Sequence, residues 1–289
     1  MQDILRLREI ANRVKKEAKD WYGERVIDGK RIFRTSPETI RRLPKRIHRL
    51  LPGLLQRIFW FPAHLILLCF GKKRSVGLEN LRLAQKLSRK RSVGVIIVSN
   101  HSNELDPFLM VSTILPWSRL LPVYLLSRTK DLYDHYGPMR HLFGGRLFWI
   151  FGTYPAIFGL SNYKEALPYH TKILEEGRTV AIFPEGGIPD DAIPEARGGV
   201  GYLVMTTRAI VVPMTITGTP RQSENRQNQN MRVCVGKPII PEELFNDNDQ
   251  PIPETCKRIA RLIMDKVYQP LLQSGSVVEE NGVRRYVSI

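Results

Sequence analysis

The chain has 289 residues, 43% of them hydrophobic, enough to bury one substantial core or one domain with an accessory segment. Its net charge of +16 is carried by one end: residues 1–91 hold 24 Lys and Arg against 8 Asp and Glu, and the remaining 20 of each cancel. Cys69, Cys234 and Cys256 stand far apart without metal-type spacing, which reads as buried or idle thiols in a reducing compartment.

Residues 3–20 place Ile4, Leu7, Ile10, Ala11, Val14 and Ala18 at helical spacing among Arg and Lys. This predicts a basic amphipathic helix and lacks the apolar core and cleavage site of a secretory signal. Residues 21–49 carry Gly, Pro and many charges, and read as a linker with short helical pieces. The stretch Ile58 to Phe70 is apolar except for Pro62 and His64, and Arg57 and Lys72-Lys73-Arg74 flank it. As a helix it would reach only about 20 Å, short of a hydrocarbon core of about 30 Å. Positive charge on both flanks also disfavours a single crossing. Two readings stay open: an interfacial or re-entrant element held by apolar insertion and anionic lipid, or a helix packed in the protein's own core. A basic segment also suits nucleic acid, but no recognition motif is visible and a membrane surface is expected instead.

From Val76 onward short apolar strands alternate with helical segments. Strands are expected at 94–99, 122–127, 179–183, 210–217 and 231–236, and helices at 80–90, 107–115, 128–136, 162–176, 198–208 and 252–273. That alternation predicts an α/β body with a mostly parallel central sheet flanked by helices. Residues 221–230 contain no apolar side chain and read as a mobile surface loop. The spacing of His48, His64, His135, His141 and His170 suits no metal, and none is expected.

Two motifs sit where such sheets collect function, at the carboxyl ends of strands. Asn100-His101-Ser102-Asn103-Glu104-Leu105-Asp106 follows the run Val93 to Ser99, and Pro107 then opens a helix that Asp106 is placed to cap. A carboxylate on one imidazole nitrogen fixes the tautomer, so the other nitrogen can take a proton from a hydroxyl. Phe183-Pro184-Glu185-Gly186 follows the run Thr179 to Ile182, in a turn where Gly lets backbone approach a ligand closely. No Gly-x-Ser-x-Gly elbow suggests a serine nucleophile. Gly198-Gly199-Val200-Gly201 opens a helix, where the glycines fit either anion binding by backbone N–H groups or close helix packing.

Asn-His-x₄-Asp, then Phe-Pro-Glu-Gly, then Val212-Pro213, with Gly236-Lys237-Pro238 beyond, resembles the glycerolipid acyltransferase family of lysophosphatidate-acyltransferase type, from about Ser75 to Leu272. The resemblance implies an O-acyltransferase of lipid metabolism and phospholipid biosynthesis, moving a fatty acyl group from acyl-CoA or acyl-carrier protein to a lipid hydroxyl. His101 would be the base and Asp106 its partner. Asn100, Phe183, Pro184, Glu185 and Gly186 would serve substrate binding, with no cofactor beyond the acyl co-substrate. Two family cations are missing. The segment Gly152 to Leu160 ends in apolar residues where the family usually has a phosphate-binding Arg, and Gly187-Ile188 replace Thr and Arg after the Glu block. Arg146, Lys164 and Arg197 are the nearest substitutes. An acceptor other than lysophosphatidate is therefore expected. A lysophosphatidate acyltransferase with a substituted phosphate site and an inactive lipid-binding member of the fold are the alternatives. Phe148, Trp149, Phe151, Tyr154 and Phe158 fit a lipid channel or core packing equally. The expected organisation is a membrane-associating segment (1–74), an α/β acyltransferase domain (75–275) and a C-terminal tail (276–289), at the cytoplasmic face of a membrane as a peripheral or monotopic protein.

Overall fold

The computed structural model describes residues 24–27, 30–33, 47–127, 150–156, 162–189, 192–219, 229–280 and 282–287. The helices expected at 3–20 and 128–136 lie outside these residues. So do most of the expected linker, residues 221–228 of the expected mobile loop, and Arg146, Phe148, Trp149 and Phe158.

A seven-stranded sheet organises the body. In chain order its strands are β3 (Gly71–Val76), β4 (Val95–Ser99), β5 (Val123–Ser127), β6 (Thr153–Pro155), β7 (Thr179–Ile182), β8 (Ile210–Thr217) and β9 (Gln229–Val235). They lie side by side in the order β3-β9-β8-β4-β7-β5-β6, with every pairing parallel except β8 with β9. β1 (Glu24–Ile27) and β2 (Lys30–Phe33) form a separate antiparallel pair, as do β10 (Val277–Glu280) and β11 (Val283–Tyr286).

The central strands are unbroken β-branched and apolar runs because both sheet faces are covered. In β4, Ile96 and Val98 face one core, and Val95 and Ile97 face the other. The first core is closed by α6 (Pro168–Glu175), α7 (Gly199–Thr207) and the long α8 (Pro253–Gln273). The second is closed by α3 (Leu78–Arg91) and α4 (Asp106–Thr113). α7 and α8 approach closely: a Cβ at Gly201 would stand 2.1 Å from the Cys256 carbonyl oxygen. Close packing therefore accounts for this glycine, one of the two readings its motif allowed.

Several elements differ from expectation. The helix expected over 162–176 is two, α5 (Tyr163–Ala166) and α6, because Pro168 has no N–H to continue the ladder and disfavours helical backbone at Leu167. Tyr154 is buried in the core beside Tyr169, as the packing reading expects. β3 enters the sheet at Gly71, ahead of the expected domain start at residue 75. Residues 229 and 230 open β9 where the mobile loop was expected.

α1 (Ile47–Ile58) and α2 (Trp60–Phe70) are fastened to this body. The buried Gln56 side chain pairs with strand backbone: its Nε2 donates to Val123 O (2.7 Å) and Phe151 O (2.8 Å), and its Oε1 accepts from Val123 N (2.9 Å). Trp60 Nε1 donates to Ile114 O (2.8 Å) at the end of α4. The outward faces stay apolar, with Leu50, Leu54 and Ile58 on α1, Phe59 in the bend, and Phe61 and Leu65 on α2 all exposed. Among the described residues no helix is long and apolar enough to cross a membrane. The stretch from Ile58 to Phe70 thus packs on the body through Trp60 and Leu67 while Phe59, Phe61 and Leu65 stay exposed.

Candidate active site

β4, β7 and β8 run parallel, with Val98 beside Ile182 and Pro213, so their carboxyl ends open side by side. The segments that leave these ends carry His101, Glu185 and Thr219. A motif that is dispersed over the sequence is thereby gathered at one edge of the sheet.

His101 Nδ1 lies 3.1 Å from Asp106 Oδ2, and the Asp106 carboxylate is fully buried. The same Oδ2 accepts from the backbone N–H of Ser102 (2.6 Å) and of Asn103 (2.8 Å). Asp106 therefore does not cap α4, contrary to expectation. Leu105 occupies the cap position with a side chain that cannot hydrogen-bond, and the Asp106 carboxylate turns back to brace its own loop. With Nδ1 engaged by Asp106, Nε2 is the nitrogen left for chemistry. The Phe183 ring stacks on the imidazole at a centroid distance of 4.4 Å and an angle of 24°, which restrains its second degree of freedom. Ser102 Oγ pairs with Thr219 Oγ1 (2.8 Å), tying the loop to the end of β8.

Asn100 and Glu185, expected to serve substrate binding, are both buried and hydrogen-bonded to protein groups. Asn100 is fully buried and acts as a side-chain extension of β4. Its Oδ1 accepts from Ile216 N (2.8 Å), and its Nδ2 donates to Ile216 O (2.9 Å) and the Tyr286 hydroxyl (3.1 Å). Glu185 is only 3% exposed; its Oε2 accepts the His101 backbone N–H (2.9 Å), and its Oε1 accepts the Tyr268 hydroxyl. Burial pushes its carboxyl up to about 8, against the pull of the Tyr268 and His101 donors and with the Asp106 charge adding to the rise. Both side chains hold the His101 loop from beneath.

Around them the turn is built by Pro184 and Gly186. Gly186 N–H donates to Phe183 O (3.0 Å), and its φ of +77° requires glycine. The Pro184 carbonyl accepts from Arg197 N (2.9 Å), which draws the segment before α7 across this turn. The Arg197 side chain then covers Gly186, where a Cβ would stand 2.3 Å from Arg197 Nε. Of the substitute cations, Arg197 is thus placed beside the Glu block on an exposed side chain. Spacing in the sequence did not reveal this, since the chain makes an excursion between the two. Tyr268 and Tyr286 are the site residues that sequence reasoning missed. Tyr268 is one residue of a long amphipathic helix, with nothing local to mark it. Tyr286 had a signal, since Asn281-Gly282 between Val-containing runs is a hairpin turn signature.

Comparison with known proteins bears on the family and the fold. Residues 75–217 match the family model described as Acyltransferase. The fold is similar to the crystal structure of the 1-acyl-sn-glycerophosphate (LPA) acyltransferase PlsC from Thermotoga maritima, with a TM-score of 0.54, 14% identity, and coverage of 79% of this chain and 81% of that one. No curated protein matches the chain's sequence.

Proposed function

Because this chain belongs to the glycerolipid acyltransferase family, with the acyltransferase domain over residues 75–217, we propose that it transfers a fatty acyl group from acyl-CoA or acyl-carrier protein to a lipid hydroxyl. The observation that carries the reading is His101 held through Nδ1 by a fully buried Asp106 at 3.1 Å. The acceptor hydroxyl gives its proton to His101 Nε2 as its oxygen attacks the thioester carbonyl. Asp106 stabilises the imidazolium, and general-base help of this kind is worth about 10²–10⁴-fold. Collapse of the tetrahedral oxyanion breaks the C–S bond and expels a thiolate, a good leaving group because its conjugate thiol has a pKa of about 8.5 by analogy with cysteine. The thiolate takes the proton from the His101 imidazolium, restoring the base. The new ester keeps the acyl group, so no covalent enzyme intermediate is required.

The exposed apolar faces of α1 and α2, with Lys72 and Arg74 exposed beside them, support a peripheral or monotopic position on an anionic membrane surface. The charge asymmetry along the chain favours the cytoplasmic leaflet and a lipid partner over nucleic acid. The apolar residues where the family's phosphate-binding Arg is expected support an acceptor without a phosphomonoester. Arg197 over Gly186 favours a second reading, a lysophosphatidate acyltransferase whose phosphate is held by a relocated guanidinium.

Purified protein and its His101→Ala variant, incubated with labelled palmitoyl-CoA and palmitoyl-carrier protein against neutral and phosphorylated acceptor lipids, test these readings together. Product from the wild type that the variant does not make supports the transfer reaction. An Arg197→Ala variant whose KM rises tenfold or more for lysophosphatidate alone favours the second reading. A folded wild type that binds vesicles yet makes no product from any pairing would leave only the lipid-binding alternative.

A further inference from the structure

Glu185 carries a carboxyl group buried at the heart of the site, and among the described residues its hydrogen-bond partners are a phenol and a backbone amide, with no cation. Such burial is costly unless the group organises its surroundings. Its hydrogen bonds lead to the end of the chain. Glu185 Oε1 accepts from Tyr268 on α8, Tyr268 is hydrogen-bonded to Tyr286 on β11, and Tyr286 accepts from Asn100 Nδ2 at 3.1 Å. Asn100 is covalently joined to His101, whose N–H returns to Glu185 Oε2 at 2.9 Å. The bonds close a ring on the Asn100–His101 peptide.

Resting on the reading of His101 as the base, we infer that Tyr268 and Tyr286 are positioning residues, through which α8 and the C-terminal hairpin hold His101 in its reactive placement. The hairpin is anchored well enough for this. Val277 is buried in the core, and the Arg284 guanidinium bonds Asp265 (2.7 Å) and Glu279 (2.8 Å). The Arg284 carbonyl accepts from Ile193 N (2.8 Å), on the segment that leads from the Glu185 turn to α7. The hairpin thus touches the loops of both motifs. Side chains alone fix the imidazole ring, through Asp106 and Phe183. The ring of hydrogen bonds fixes the backbone from which that imidazole projects. A base displaced by about 1 Å costs on the order of 10²-fold in rate, which gives the backbone anchor its catalytic weight.

Tyr268→Phe and Tyr286→Phe keep both aromatic rings and remove one hydroxyl each. Turnover is followed as thiol release from palmitoyl-CoA with 1-oleoyl-lysophosphatidate and 1-monooleoylglycerol both present. Each variant is expected to lose about 10- to 100-fold in kcat with KM for palmitoyl-CoA within twofold. Because the two hydroxyls are consecutive links, the double variant is expected to lose no more than the worse single one. Amide hydrogen exchange reads the same event without turnover: exchange across residues 100–106 quickens about tenfold, and β4 stays protected. Unchanged exchange in that segment, a wild-type kcat in a folded variant, losses that multiply, or a lowered unfolding temperature with kcat per folded molecule intact would each overturn the inference. A His101→Ala variant that kept full activity would instead remove the reading beneath it, whatever the tyrosine variants did.

Discussion

Replacing Glu185 by Gln probes the buried carboxyl through its linkage to pH. The side chain is 3% exposed, and burial raises its pKa from an ordinary 4.5 to about 8. Between those values the folded protein keeps a proton that the unfolded chain has released. The native state therefore binds more protons, and stability falls as pH rises through this window. The contribution is fully present below pH 4.5 and lost by about pH 8. The slope is at most about 1.4 kcal/mol per pH unit, and the whole window amounts to about 5 kcal/mol as an upper bound. Gln is neutral at every pH, and its carbonyl can still accept the His101 N–H. Urea unfolding at pH 5, 6, 7 and 8 should show the wild type weakening more steeply than Glu185→Gln, so that the stability difference moves in favour of the variant as pH rises. Other groups titrate over the same range, but they are common to both proteins and cancel in the difference. Parallel curves for the two proteins would refute the raised pKa and with it the buried, cation-free account of Glu185.

Asp106→Asn should retain the loop bonds to Ser102 and Asn103 while losing the charge that stabilises the imidazolium, so kcat falls about 10²–10⁴-fold with near-native circular dichroism. Gly201→Ala puts a methyl group 2.1 Å from the Cys256 carbonyl and must part α7 from α8; a loss of about 1–3 kcal/mol in denaturant unfolding is expected, and an unchanged midpoint would contradict the close packing. Phe61→Asp and Leu65→Asp alter exposed residues and should spare folding. Each should lower retention on sedimenting anionic vesicles by about tenfold or more, since a buried Phe or Leu side chain contributes about 1.5–3 kcal/mol. Undiminished retention would remove α2 from the proposed membrane contact.

The strands β4, β7 and β8 were legible because each is a continuous apolar, β-branched run, which only a sheet covered on both faces can bury. Once those runs are strands, the loops carrying His101 and Glu185 fall at carboxyl ends, and the α/β class follows with them. The pairing of His101 with Asp106 was legible for a similar reason, since a short loop keeps both within reach. β3 was not legible: Gly-Lys-Lys-Arg-Ser-Val has no strand pattern, and it becomes one only by pairing with β9 at the sheet edge. The direction of polar side chains was equally hidden. Residue type marked Asn100 and Glu185 as site residues, but Ile216, Tyr268 and Tyr286 turn them inward, and those partners lie 116, 83 and 186 residues away. Arg197 reaches Gly186 by a return of the chain that no local spacing encodes. Local sequence determined the elements and the chemistry at their ends, because hydrophobic runs and short loops act over a few residues. Tertiary structure alone decided which polar groups turn inward and which brace the His101 loop, because that choice depends on donors and acceptors brought together from distant parts of the chain.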